Sequence, residues 1–341
     1  MQHFSIPTCF FPSTTLFIDD CRDFLLNFVL QLDEGLAYRV FDSPFDALKF
    51  IEKTQSELDL LNQHCLKEQI EAKHFPSTHQ TINLDLAAIR SEVYNPNRFS
   101  EISVVVIDYV MPGINGLDFC RKLAHTNIKK ILLTGQADEK LAIEAFHEGL
   151  IDRYIKKSDA NAADLITKSI YELQLQYFQS MSDMFVKMLS VSSPSCLQDK
   201  TFIDFFQTIC AENKVVEYYM VDNSGSFLFL DDDANASFLM VKNAKDMKSY
   251  YDFALDNGAG ADILQQIGSG EKIPYFGDAS MNIPQNIQWS SYLVPAKELV
   301  ANEIYFYSYM RDSLPFDICQ DKIRSYYHYL EELDAEELLM M

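Results

Sequence analysis

Five residues, each placed at the end of an apolar run, have the types that phosphoryl chemistry requires. Asp19 and Asp20 follow TTLFI (14–18), Asp108 ends VVVID (104–108), Thr134 ends ILLT (131–134) and Lys157 follows YIK (154–156). Three carboxylates brought together repel one another and raise each other's pKa unless a cation compensates. A hard divalent ion with few protein ligands and several waters meets that need, and magnesium suits it best. A metal, a hydroxyl and an ammonium around one carboxylate can stabilise charge on a phosphoryl group moving onto it. Asp108 is therefore the expected nucleophile and phosphate acceptor. Taken singly, each residue is ordinary: an acidic pair often starts a helix, a Thr before Gly often makes a turn, and a lysine is usually a surface charge. Their occurrence in order on successive strand ends carries the reading.

The elements that must position them alternate between strand and helix. TTLFI leads into CRDFLLNFVLQL, where Phe24, Leu25 and Phe28 have helical spacing, and YRVF (38–41) precedes a helix whose cap is Ser43 before Pro44. That helix is expected to run to about residue 72, where HFPSTHQT breaks it, and LDLAAIRSEVY is expected to form another before NPNRF. The apolar strand to Asp108, a helix from about Leu117, KKILLTG, the helix ADEKLAIEAFHEG, IDRYIK and a long helix follow. Strands without a polar face, alternating with helices, specify a doubly wound α/β domain with a parallel sheet covered on both sides. Ligands bind such sheets at the carboxyl ends of the strands, where these residues lie.

The long helix is expected from near Ala162 to Ser190, with Ile166, Ile170, Leu173, Tyr177, Met181, Met184 and Met188 along one seam. It either packs on its own domain or serves as a dimerising, signal-transmitting stalk. SVSSPSCLQD (190–199) is the expected boundary. Beyond it VVEYYMVD, SFLFLD and SFLMVK read as an antiparallel meander, followed by two helices and a hairpin of SSYLVPAKEL with EIYFYSYM, in a sheet of about five strands. The acidic tail YLEELDAEELLMM either docks on the protein or a partner or frays.

The segments FIDD, DYVMPGINGLDF, LLTG and YIKK resemble those of the receiver domain of two-component response regulators. The resemblance covers about 14–53 and 101–175. It implies a five-stranded receiver sheet with Asp108 as phosphoacceptor, Asp19 and Asp20 as the acidic pair that organises magnesium, and Val110 as a further ligand through its backbone carbonyl. It also implies Thr134 as the switch hydroxyl, Tyr154 as the rotating aromatic and Lys157 as the functional lysine, with Lys156 the neighbouring candidate. Met111, Pro112 and Gly116 match the loop after the acceptor. Ser158 departs from the family, in which a proline, often cis, follows the lysine. The second departure is an insertion of around 40 residues before the acceptor strand. An inserted receiver joined to an output without a helix-turn-helix is also similar to the quorum-sensing response regulators of Legionella and its relatives.

The expected layout is an N-terminal extension (1–13), a receiver domain (14–175) with a helical insertion at about 54–99, a linker helix (162–190) and an α+β output domain with its acidic tail (195–341). A sensor histidine kinase is the implied phosphodonor, with a phosphorylation-dependent homodimer and a downstream protein or small ligand as further partners.

Composition narrows the output. With 50 acids against 28 bases and a formal charge of −22, the chain has no broad footprint for nucleic acid or anionic membrane. A phosphorylation-dependent DNA-binding output would have to rely on Lys242, Lys245 and Lys248, which nearby acids offset. An enzymatic output acting on a nucleotide or phosphorylated small molecule would have to use DDDAN (231–235), GSGEK (268–272) or His328. None of these forms a recognisable catalytic set. Phe276, Trp289 and Tyr292 either line a pocket or belong to the core, and the meander is loosely similar to sensor domains of the PAS type. A receiver fold working without phosphate is the remaining alternative. Seven scattered cysteines without zinc spacing read as reduced thiols, and the absence of a charged leader or a run of roughly 20 apolar residues points to the cytoplasm.

Overall fold

The computed structural model describes residues 5–57, 86–135, 139–189, 194–276, 288–311, 314 and 318–340. In chain order the first half comprises β1 (Cys9–Phe10), β2 (Thr14–Ile18), α1 (Arg22–Val29), β3 (Tyr38–Phe41), α2 (Pro44–Glu57), α3 (Leu86–Ser91), β4 (Ile102–Asp108), α4 (Gly116–Lys122), β5 (Lys129–Thr134), α5 (Glu139–His147), β6 (Arg153–Lys156) and α6 (Ala162–Leu189). The second half comprises α7 (Lys200–Glu212), β7 (Glu217–Met220), β8 (Phe227–Leu230), β9 (Ala236–Asn243), α8 (Ala244–Asp256), α9 (Ala261–Gly268), β10 (Lys272–Pro274), β11 (Leu293–Pro295), β12 (Lys297–Val300), β13 (Ile304–Met310) and α10 (Tyr326–Met340). These divide into two compact units, one of Phe10–Leu84, Asn95–Leu189 and Ser325–Met341, the other of Met1–Cys9, Asp85–Tyr94 and Ser190–Arg324.

The first unit is built on a parallel sheet of order β3-β2-β4-β5-β6. Every residue of β4 is buried, which explains its unbroken apolar run. Because side chains alternate across a strand, Val105 and Ile107 enter one core with Leu117, Phe119, Ala142 and Ala145 from α4 and α5. Val104 and Val106 enter the other with Leu25 and Phe28 of α1 and Ile166, Ile170 and Leu173 of α6. The doubly wound expectation is met, with helices on both faces.

The two cores also answer the question posed by α6. The first part of its apolar seam, Ile166 to Leu173, is buried against its own sheet, and Tyr177 and Met181 are buried too. That stretch is core rather than stalk; the side chains of Met184 and Met188 lie outside the described residues, as do residues 58–85 of the insertion.

Terminal helix α10 belongs to this unit as well. The Tyr326 hydroxyl accepts from the Ala37 backbone N–H at 3.0 Å and donates to the Gly35 carbonyl at 2.8 Å. Tyr329 shares a 2.6 Å hydrogen bond with Thr14, and Arg39 pairs with Glu336 at 2.6 Å. The acidic tail thus docks on the protein itself through residues 326–336.

The second unit is α+β. Its sheet has six strands in the order β1-β7-β8-β9-β13-β12, one more than about five, because the two-residue strand β1 joins its edge. The meander β7-β8-β9 is antiparallel, as its turns require. The expected second hairpin is corrected in part: β12 does pair with β13, but the preceding β11 pairs with β10 in a separate two-stranded sheet. Pro295 ends β11, lacking the N–H that a continuous strand would use. Helix α7 is an addition to the sequence reading; Asp199 caps it by accepting from the N–H groups of Thr201 and Phe202, and it buries Phe202, Ile203 and Phe206.

Candidate functional site

The parallel sheet brings Asp19, Asp108, Thr134 and Lys157 to its carboxyl edge because each stands at or just after a strand end. Asp19 follows β2, where its N–H donates to the Phe41 carbonyl and its Oδ1 accepts from the Cys21 N–H at 2.9 Å. Asp108 is the last residue of β4 and Thr134 the last of β5. Lys157 follows β6, tied by its N–H to the Thr134 carbonyl at 3.1 Å.

Asp19, Asp20 and Asp108 each offer a carboxylate oxygen, and these atoms lie within 4.8 Å of one another. Asp19 and Asp108 are buried, whereas Asp20 is exposed. Lys157 Nζ bridges the buried pair, 2.5 Å from Asp19 and 2.9 Å from Asp108. Burial pushes the Asp108 carboxyl above the ordinary aspartate value, against the opposing pull of Lys157. For Lys157, burial disfavours the charged form, but hydrogen bonds to both acids prevail and hold its pKa above that of an ordinary lysine. The neighbouring Lys156 pairs instead with Glu139 at 2.9 Å.

The Thr134 hydroxyl is fully buried and has no hydrogen-bond partner among the described residues. Such an orphan is costly inside a protein, and an incoming oxygen-rich group would satisfy it. Three carboxylates of hard oxygen donors fit a divalent cation, and the orphaned hydroxyl fits a phosphoryl oxygen.

The loop after Asp108 depends on Gly116, the first residue of α4. A Cβ there would stand 2.4 Å from the Asp108 carbonyl oxygen and 2.8 Å from Leu132, so only glycine lets α4 start so close beneath Asp108. Asn115 caps the helix by accepting from the Asp118 N–H. On the same loop Val110 exposes its side chain, while Tyr154 is half-buried, edge-on to Phe146 with ring centroids 6.3 Å apart. No peptide bond among the described residues is cis, and with Ser158 in the proline's place Lys157 still reaches both acids.

One participant was not singled out from the sequence. The Lys157 ammonium sits 4.5 Å from the centroid of the Phe24 ring. Phe24 was visible only as part of an apolar helical face.

Several candidates in the second unit are held in its turns and core. Asp231 accepts from the N–H groups of Asp233 and Asn235 and so closes its own turn. In GSGEK, Gly270 has φ +76° in the turn before β10. Phe276 and Trp289 pack with Phe253 in the core, with Tyr292 against Phe276. Lys242 is buried and paired with Asp222 at 2.6 Å, while Lys245 and Lys248 are exposed on α8. His328 belongs to the first unit, exposed on α10 beside Glu331 and Glu332. No described helix is long and apolar enough to cross a membrane.

The family model for the response regulator receiver domain matches residues 59–170, a stretch that holds Asp108, Thr134 and Lys157 and begins after Asp19 and Asp20. No curated protein matches the chain. Among solved structures, that of the Legionella pneumophila response regulator LqsR is 60% identical, with a TM-score of 0.83, covering 98% of this chain and 99% of that one. An adenylate cyclase from Rhodopirellula baltica is 18% identical over 53% of this chain and 99% of its own, with a TM-score of 0.34. A Francisella response regulator receiver domain is 18% identical over 48% of this chain and 98% of its own, with a TM-score of 0.30. With an acidic cluster suited to phosphoacceptor and metal chemistry, and an output unit in which no helix-turn-helix is evident among the described residues, the chain belongs to the response regulators and carries a receiver domain of the CheY-like fold closely related to that of LqsR.

Proposed function

We propose that Asp108 accepts a phosphoryl group from a sensor histidine kinase in a magnesium-dependent reaction, and that the output unit signals through protein or small-ligand contacts. The observation that carries this reading is the Lys157 ammonium held on both Asp19 and Asp108 beside a third carboxylate. An oxygen of Asp108 forms a bond to phosphorus as the donor's bond to phosphorus breaks. The electron pair leaves with the donor's imidazole nitrogen, or with the carboxylate of a small acyl phosphate. Asp19, Asp20 and Asp108, with the Val110 carbonyl, would hold magnesium, which when bound neutralises charge on the phosphoryl oxygens. Lys157 adds a second positive charge there, and the buried Thr134 hydroxyl gains an acceptor.

On this reading Thr134 and Tyr154 report the new charge to the rest of the domain, and two copies associate when phosphorylated. The protein works in the cytoplasm, and its likeness to LqsR supports a place in quorum-sensing signalling. Intact mass after incubation with magnesium and acetyl phosphate tests the proposal, with light scattering for association. Wild type is expected to gain one phosphoryl group and Asp108→Asn none; an equal gain in both removes Asp108 from the acceptor role.

A further inference from the structure

We infer that Phe24 is a positioning residue for phosphoryl uptake, acting through Lys157; this rests on the acceptor reading above. An ammonium has three N–H directions. In Lys157 two ion pairs engage Asp19 and Asp108, and the Phe24 ring stands 4.5 Å from the same nitrogen. The negative face of an aromatic ring attracts a cation, more strongly where water is excluded. The Lys157 side chain is only 26% exposed and the Asp19 side chain 1%.

The ring itself is held from behind. Phe24 and Phe28, one turn apart on α1, stack with centroids 5.3 Å apart and 21° between planes. Phe28 in turn packs on Phe17 of β2 at 6.0 Å, and both are buried in the core of the parallel sheet. A column of three rings therefore runs from that core to the catalytic ammonium. Its end anchors the lysine without a hydrogen bond, so the N–H groups stay available to carboxylate and phosphoryl oxygens. A leucine at 24 would fill much of the space but offer no ring face.

The test is the rate of phosphoryl uptake from acetyl phosphate with magnesium, followed by intact mass in the full chain. In each transfer the Asp108 oxygen bonds to phosphorus and acetate leaves with the electron pair. Phe24→Leu is expected to slow uptake about tenfold, between what an exposed and a desolvated cation–ring contact supply, while Phe24→Tyr keeps the wild-type rate. In a Lys157→Met background, Phe24→Leu is expected to change the rate no further, because the group it acts through is gone. Circular dichroism and thermal unfolding confirm that each variant is folded. Equal rates in wild type and F24L overturn the role, as does an undiminished F24L effect in the K157M background, which would mark simple packing. No uptake by wild type overturns the acceptor reading itself, and this role falls with it.

Discussion

Two acidic turns in this molecule look alike in sequence and differ in their partners. Asp19 and Asp20 follow β2, and Asp231 to Asp233 follow β8; both strands are buried throughout. Asp231 is satisfied by its own turn, accepting from the backbone of Asp233 and from both the backbone and side chain of Asn235. Asp19 takes one local N–H, from Cys21, and its other oxygen meets Lys157 from a strand end far along the chain. An acid saturated by its neighbours fixes a loop. An acid whose partners arrive from other strand ends, beside a buried hydroxyl with none among the described residues, has a setting suited to phosphoacceptor chemistry.

The largest expected effect breaks the comparison outright. Asp108→Asn loses phosphoryl uptake and Asp231→Ala keeps it, read by intact mass; uptake lost in D231A would show that the second turn is not merely structural. Lys157→Ala should slow uptake about 100-fold, the scale for removing one preorganised charge-stabilising donor, measured as an initial rate with acetyl phosphate.

An alkaline titration of stability comes next. Burial raises Cys120, Cys196 and Cys210 from 9.0 to about 12. Between those values the unfolded thiols lose protons that the folded ones keep, so stability is full below pH 9.0 and falls as pH rises toward about 12. Denaturant midpoints from pH 8 upward check the sign. Two of the three thiols lie in the antiparallel-sheet unit, so a probe there should show the larger loss.

The smallest effects are local. Tyr329→Phe removes the bond to Thr14 and Asp231→Ala unties its turn, each costing about 1 kcal/mol in chemical denaturation.

The parallel-sheet unit was the more legible of the two. Strands buried on both faces write themselves as continuous apolar runs, so the acids, hydroxyl and lysine at their ends could be aligned before any fold was known. The span of α6 and its apolar seam were also readable, but not whether that seam met its own sheet or a partner. The cap and apolar spacing of α7 were present in Asp199, Phe202, Ile203 and Phe206 and went unused. Strands β1 and β10 are two and three residues long, too short for periodicity to register. Partnerships set by tertiary packing, such as Phe24 with Lys157 or Tyr326 with Gly35, leave no local trace.

The most direct test of Asp108 is to locate the phosphoryl group chemically. Wild type is incubated with magnesium and acetyl phosphate, reduced with borohydride to convert an aspartyl phosphate to homoserine, and sequenced by peptide mass spectrometry. The expected result is homoserine at position 108 alone. Homoserine at Asp19 or Asp20, or phosphate retained on a histidine with residue 108 unmodified, would contradict the assignment.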